Sequence, residues 1–185
     1  MIGCICASPS SDKLVSFRKE FLDECKVYVE IGVLYGGSLI EQMKEEEKCL
    51  YVGIDPFTGY YGRSFDPHRG VDLSDHIGVV KKNLDTNNPH NHDYLLIKGK
   101  SDDVVDQVPD NIDYLFIDGD HSKEGVMRDF KNYQSKVSPK GIIIFDNYND
   151  KSWEGVTKAV DEILPQYPEW ETIKVIGCSL IARKI

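Results

Sequence analysis

The chain has no apolar run long enough to cross a bilayer, no cluster of Lys and Arg, no internal repeat and no low-complexity tract. A spanning helix needs about 20 consecutive apolar residues, so no membrane association is expected. With 22 Lys and Arg against 31 Asp and Glu, the formal charge is −9. That balance offers no basic face to a phosphate backbone, and nucleic acid is not an expected partner. The five cysteines (Cys4, Cys6, Cys25, Cys49, Cys178) are odd in number and scattered, with no CxxC pair and no zinc spacing. A reducing compartment follows, and a cytoplasmic location is expected. The opening MIGCICASPSS lacks the basic region of a signal peptide, and Ile2 stands where myristoylation requires Gly.

What the chain does contain is a regular alternation of short apolar runs and helical periods. Its 185 residues suit one domain, with an arm and helix over 1–26 and a core over 27–185. Leu14, Phe17, Phe21 and Leu22 mark an amphipathic helix within 11–25. Strands are predicted at 27–33, 50–54, 94–97, 113–117 and 142–145. Helices are predicted at 37–47, 75–85, 102–107, 122–137 and 153–164, with Pro139, Lys140 and Gly141 as a turn. Short strands that are apolar on both faces and separated by helices predict a parallel sheet covered on both sides. The tail ETIKVIGCSLIARKI reads instead as a hairpin turning at Gly177 and Cys178. The expected fold is therefore α/β and Rossmann-like, a mostly parallel sheet finished by an antiparallel hairpin.

In such a sheet, ligands bind beyond the carboxyl ends of the strands, where strand order reverses. Polar residues, acids foremost, gather at those ends: Glu30 in VYVEIGVLYGGS, Asp55 after the second strand, Ser101 and Asp102 after the third, Asp118 and Asp120 after the fourth, Asp146 and Asn147 after the fifth. Gly32, Gly36 and Gly37 would let backbone approach a ligand closely. A nicotinamide site is the competing reading, because Asp55 follows Gly32 at about the ribose-binding spacing. The glycines, however, are spaced G-x-x-x-G, and Glu30 would repel a pyrophosphate. A cationic nucleoside without phosphate suits the loop better. Residues 57–75 form one long loop with Phe57, Tyr60, Tyr61 and Phe65, either a lid over an acceptor or a surface excursion packed on itself.

Taken in series, VEIGVLYGGS, GIDP, GKSDDVVDQV, DYLFIDGDHSKEGVMRDF and KGIIIFDNY resemble the class I S-adenosylmethionine-dependent methyltransferases. The match runs from about Val27 to the C-terminus, and it is nearest to the metal-dependent small-molecule O-methyltransferases of catechol and macrocin (sugar) type. That resemblance implies a seven-stranded sheet. It implies that Gly32 to Gly36, with Tyr35 and Ser38, wrap the methionine part of S-adenosylmethionine over Glu30. It implies that Asp55 receives the ribose hydroxyls, that Ser101 and Asp102 contact adenine, and that Asp118 borders the cofactor. Asp118, Asp146 and Asn147 match the ligands of Mg²⁺, whose remaining positions would take an acceptor's oxygens.

The catechol-type enzymes carry a lysine base where this chain has His121, a residue with a suitable pKa. The other readings are that Asp118 and His121 serve only the next helix as caps, and that Asp146 and Asn147 form an Asx turn. His68 and His76 are alternative bases; His90 and His92 flank a turn and are expected to be exposed. Tyr148, Asn149 and Trp153 are candidates for the acceptor pocket. The acceptor is expected to be a small molecule or glycan, a sugar first and a catechol or phenol second. A non-catalytic cofactor-binding subunit of the same fold is the remaining alternative, and a homo-oligomer is compatible with the sequence.

Overall fold

A computed structural model describes residues 18–22, 24–58 and 74–185. Cys4, Cys6, His68 and most of the 57–75 loop, with Tyr60, Tyr61 and Phe65, lie outside the described residues, as do Leu14 and Phe17 of the first predicted helix.

The described strands are β1 (Val27–Ile31), β2 (Leu50–Asp55), β3 (Tyr94–Lys98), β4 (Ile112–Ile117), β5 (Val137–Asp146), β6 (Trp170–Ile176) and β7 (Ser179–Lys184). They form one seven-stranded sheet in the order β3-β2-β1-β4-β5-β7-β6. The first five pair in parallel, while β7 runs antiparallel to both β5 and β6. The mostly parallel sheet closed by a hairpin is thus the fold expected from the sequence. Strand order reverses between β1 and β4, which places a ligand crevice at their carboxyl ends.

Among the described residues, the sheet is covered by α1 (Gly37–Gln42), α2 (His76–Thr86), α3 (Lys123–Tyr133) and α4 (Glu154–Ile163). Strand periodicity divides the core. Val29 and Ile31 of β1 face Val126 and Phe130 of α3 and Val160 of α4, whereas Tyr28 faces Leu39 of α1 and Leu84 of α2. Helices therefore lie on both faces. The amides of Lys26 and Val27 both donate to Asp113 Oδ2 on β4 (2.8 and 3.0 Å), which fixes the start of β1 against its neighbour.

Three sequence expectations are corrected. The helix expected to run to residue 47 ends at Gln42, because Glu45, Glu46 and Glu47 would crowd like charge at the negative end of its dipole. The stretch 102–107 is two short 3₁₀ turns, Ser101–Asp103 and Val105–Gln107. Pro139, Lys140 and Gly141 do not precede β5 but bulge within it: Ile112 pairs with Val137 and Tyr114 with Ile142, and Lys140 takes a left-handed φ of 67°.

Candidate functional site

β1 ends in Glu30 and Ile31, and Gly32 follows it. Gly32 has φ 91°, and a Cβ there would stand 2.0 Å from the Asp118 carbonyl oxygen. Only glycine lets the loop after β1 lie this close to the end of β4. The loop then turns through Leu34 and Gly36, with φ 50° and 83°, into α1. Asp55 organises it from β2: Oδ2 accepts from the amides of Val33 (3.0 Å) and Leu34 (3.3 Å), and Oδ1 from that of Phe57 (2.7 Å). These visible bonds all go to backbone, and Asp55 is 2 % exposed. A ribose contact would be additional to them.

α2 braces the same loop. His76 Nε2 bonds the Leu34 carbonyl at 2.7 Å and Asn83 Nδ2 donates to the Tyr35 carbonyl at 3.2 Å. The rings of Tyr35 and Phe57 pack edge-on against His76. His76 is therefore buried support for the glycine loop. Tyr35, Gly36 and Gly37 are also buried, whereas Ser38 and Gly32 are half-buried.

Glu30 is fully enclosed, and Tyr28 donates its hydroxyl to Glu30 Oε2 at 2.8 Å. Burial pushes its carboxyl well above the usual range. The Tyr28 bond pulls the other way, while the charges of Asp118, Asp55 and Asp146 push it further up. Four carboxylates from four adjacent strands thus act on one small volume.

On the other side of the switch point, His121 Nε2 lies 2.6 Å from Asn147 Oδ1 and 3.2 Å from Asp118 Oδ1. Burial lowers the His121 pKa, but the Asp118 bond and charge, the Asn147 bond and the Asp146 charge outweigh it, so the net shift is upward. The imidazole stacks on Trp153 at 4.3 Å between centroids. Asp146 is buried and accepts from Ser179 Oγ of β7 at 2.7 Å. Asn147 has φ 60°, the left-handed geometry that asparagine tolerates best.

The cap of α3 is Ser122, whose Oγ accepts from the Gly125 amide at 3.0 Å, so neither Asp118 nor His121 is needed there. Among the described residues no three His, Cys, Asp or Glu side chains converge as a metal group. Two of the three predicted ligands, Asp118 and Asn147, do converge, both on the Nε2 atom of His121. Two carboxylates and an amide oxygen are hard donors of the kind Mg²⁺ takes, so the residues fit the ion chemically.

Ser101 and Asp102 sit in the turn after β3. Ser101 Oγ donates to Asp129 Oδ1 at 2.5 Å, and Tyr133 donates its hydroxyl to the Ser101 carbonyl at 2.6 Å. Tyr148 turns toward α4, donating to Asp161 at 2.9 Å. Asn149 takes φ 64°, with its amide on Thr157. His92, expected to be exposed, is buried with Nε2 2.8 Å from the Glu45 carbonyl, and His90 is half-buried.

Sequence reading missed Asp129, Asn83 and Ser179. Asp129 and Asn83 had a signal: each is a polar residue inside the apolar stripe of its helix, beside Val126, Phe130 and Tyr133 or beside Val80 and Leu84.

A glycine loop after β1, acids at successive strand ends and a sheet closed by a reversed hairpin define a class I methyltransferase. The comparisons agree. Residues 29–148 match the family described as "Methyltransferase domain", and the chain belongs to that family. An uncharacterized protein, R132, of Acanthamoeba polyphaga mimivirus is 34% identical over 174 residues, covering 88% of this chain and 70% of that protein.

Among solved structures, the O-methyltransferase NovP is similar with a TM-score of 0.70 and 21% identity, over 95% of this chain and 78% of that one. The O-methyltransferase from Bacillus cereus, solved with SAH, gives 0.68 and 17%, over 100% of this chain and 84% of that one. The calicheamicin methyltransferase CalS11 gives 0.67 and 17%, over 94% and 77%. The S-adenosylmethionine-dependent methyltransferase resemblance read from the sequence therefore holds for family and fold. No helix among the described residues is long and apolar enough to cross a membrane.

Proposed function

We propose that this protein transfers the methyl group of S-adenosylmethionine to a hydroxyl of a small molecule, with a sugar or glycan as acceptor and Mg²⁺ or another divalent cation at the site. The observation that carries the reading is the placement of buried Glu30 on β1 between the carboxylates at the ends of its neighbours, Asp55 and Asp146 closing β2 and β5 and Asp118 following β4. A volume so negative favours a ligand bearing sulfonium and ammonium groups and disfavours the pyrophosphate of a dinucleotide.

In this reading Glu30 lies beneath the methionine part, and Gly32, Tyr35, Gly36 and Ser38 form the wall around it. Asp55 holds the loop and meets the ribose, while Ser101 and Asp102 meet adenine. Asp118, Asp146 and Asn147 would hold the cation, which when bound lowers the pKa of the acceptor hydroxyl and orients it. The acceptor oxygen forms a bond to the methyl carbon as the carbon–sulfur bond breaks. Its electron pair returns to sulfur, giving S-adenosylhomocysteine, and His121 takes the hydroxyl proton. Nε2 now donates toward two oxygens, so this role requires it to shed that proton and one of them to give way to the acceptor. Alignment of oxygen, methyl and sulfur supplies much of the rate.

A sugar acceptor is supported by likeness to CalS11, a TDP-rhamnose 3'-O-methyltransferase. A catechol or phenol is the second reading, favoured by the flat His121–Trp153 stack beside Asp118. A methyl-transfer screen over sugars and catechols, with and without EDTA, tests both. Activity on one class that chelation abolishes and that Asp118→Ala lacks is the expected result. Full activity in Asp118→Ala would exclude the metal-dependent mechanism.

A further inference from the structure

Asp129 and Tyr133 stand one turn apart on α3, 1 % and 0 % exposed, and both reach Ser101 in the turn after β3. The second oxygen of Asp129 lies against Gly119: a Cβ there would be 3.4 Å from Asp129 Oδ2. Arg128, one residue earlier, lies between Asp102 (3.7 Å) and Asp120 (3.6 Å). The helix after β4 thus holds the turn after β3 through several side chains.

The hydrogen-bond inventory of that turn has a direction. A serine hydroxyl carries a single proton, and Ser101 commits it to Asp129. What Ser101 Oγ can still do is accept. Its carbonyl already accepts from Tyr133, and the exposed carboxylate of Asp102 beside it also only accepts when ionised. A ligand edge read by these side chains must therefore donate. The 6-amino group of adenine does so, whereas the 6-oxo group of a 6-oxopurine in the same place would set oxygen against oxygen, its edge donor having moved to N1.

We infer that Asp129 is a positioning residue that locks the Ser101 hydroxyl as an acceptor, so that the cofactor pocket selects a 6-aminopurine over a 6-oxopurine. This inference rests on the adenine contact proposed for Ser101 and Asp102. Polar mismatch of this kind discriminates strongly because the wrong ligand leaves polar groups unpaired.

The lock needs Asp129 ionised. Burial pushes its carboxyl up to about 6; the Ser101 bond and Arg128 act against this, while Asp120 and Asp102 add to it. Below that pH the proton sits on Asp129, and Ser101 is free to donate outward.

The test is calorimetric binding of S-adenosylhomocysteine and S-inosylhomocysteine to the intact protein. At about pH 7.5 the wild type should prefer the adenosyl ligand by roughly tenfold or more. Ser101→Ala and Asp129→Ala should each bring the ratio down to about threefold or less, and the double variant should add little. Should Asp129→Ala not fold, the wild-type ratio itself decides: it should narrow between about pH 7.5 and 5.5 and stay flat in Ser101→Ala. Tight adenosyl binding with a ratio near one, or a ratio indifferent to Ser101 and to pH, overturns this inference alone. No binding of S-adenosylhomocysteine overturns the cofactor reading as well.

Discussion

Tyr28 and Glu30 lie two residues apart on β1, so both point to the same face of the sheet, and the phenol donates to the carboxyl in a site without solvent. The pair satisfies one carboxyl oxygen without supplying a positive charge. Glu30 is thus a group whose ionised form the fold disfavours, in a family that binds a positively charged cofactor.

Glu30→Gln should stabilise the free protein. The folded pKa of Glu30 is raised, so its contribution is fully present below the ordinary carboxylate pKa and is lost as pH rises through the folded value. Gln keeps an acceptor for Tyr28 and removes the penalty. Thermal unfolding at about pH 8 should move up by about 2–4 °C per 1 kcal/mol recovered, while calorimetry should show cofactor binding weakened roughly tenfold or more. Unchanged binding would remove Glu30 from the cofactor site.

Binding of S-adenosylmethionine to the wild type should release protons. A cation brought beside a carboxyl whose pKa is raised favours its ionised form. Titrations in two buffers of different ionisation enthalpy measure the count directly. The release should vanish in Glu30→Gln, and equal heats in both buffers for the wild type would contradict the assignment.

Gly32→Ala should damage both stability and binding. It forces a side chain into φ 91° and sets a Cβ 2.0 Å from the Asp118 carbonyl oxygen. The backbone strain alone is about 1–3 kcal/mol, and β1 and β4 must also part at their ends. Denaturant unfolding should show the loss. Wild-type stability in this variant would mean that the loop relaxes without cost.

Trp153→Ala should separate the two halves of the site. The indole stacks on His121 and packs against the core cluster of Val126, Val156 and Val160. Cofactor affinity should stay within about twofold, while methyl transfer falls roughly tenfold or more. A parallel loss of both would place Trp153 in general packing.

Much of the fold was legible because its periodicities are local: apolar runs of strand length, helical stripes between them, and a tail that alternates differently. The acids at the strand ends were legible for the same reason. The exceptions depend on distant partners. His92 is buried because the Glu45 carbonyl and the Tyr51 ring close over it, and neither is its sequence neighbour. The bulge at Lys140 follows from the register of β5 against β4, which the residues of β5 alone do not fix. Asp129 lay in plain view inside a helical stripe, but its partner Ser101 is 28 positions away and joins it only when β3 and β4 are in place.

The bond from Ser179 to Asp146 has a consequence for how the protein is made. β5 carries Asp146 into the site, yet the hydroxyl that orients this carboxylate comes from β7, 33 positions later. Ser179 is the first residue of β7, and that strand enters the sheet between β5 and β6. A nascent chain can lay down β1 to β5 and still lack the partner that sets Asp146. The Asp146 carboxylate should take its orientation only once β6 and β7 have joined the sheet.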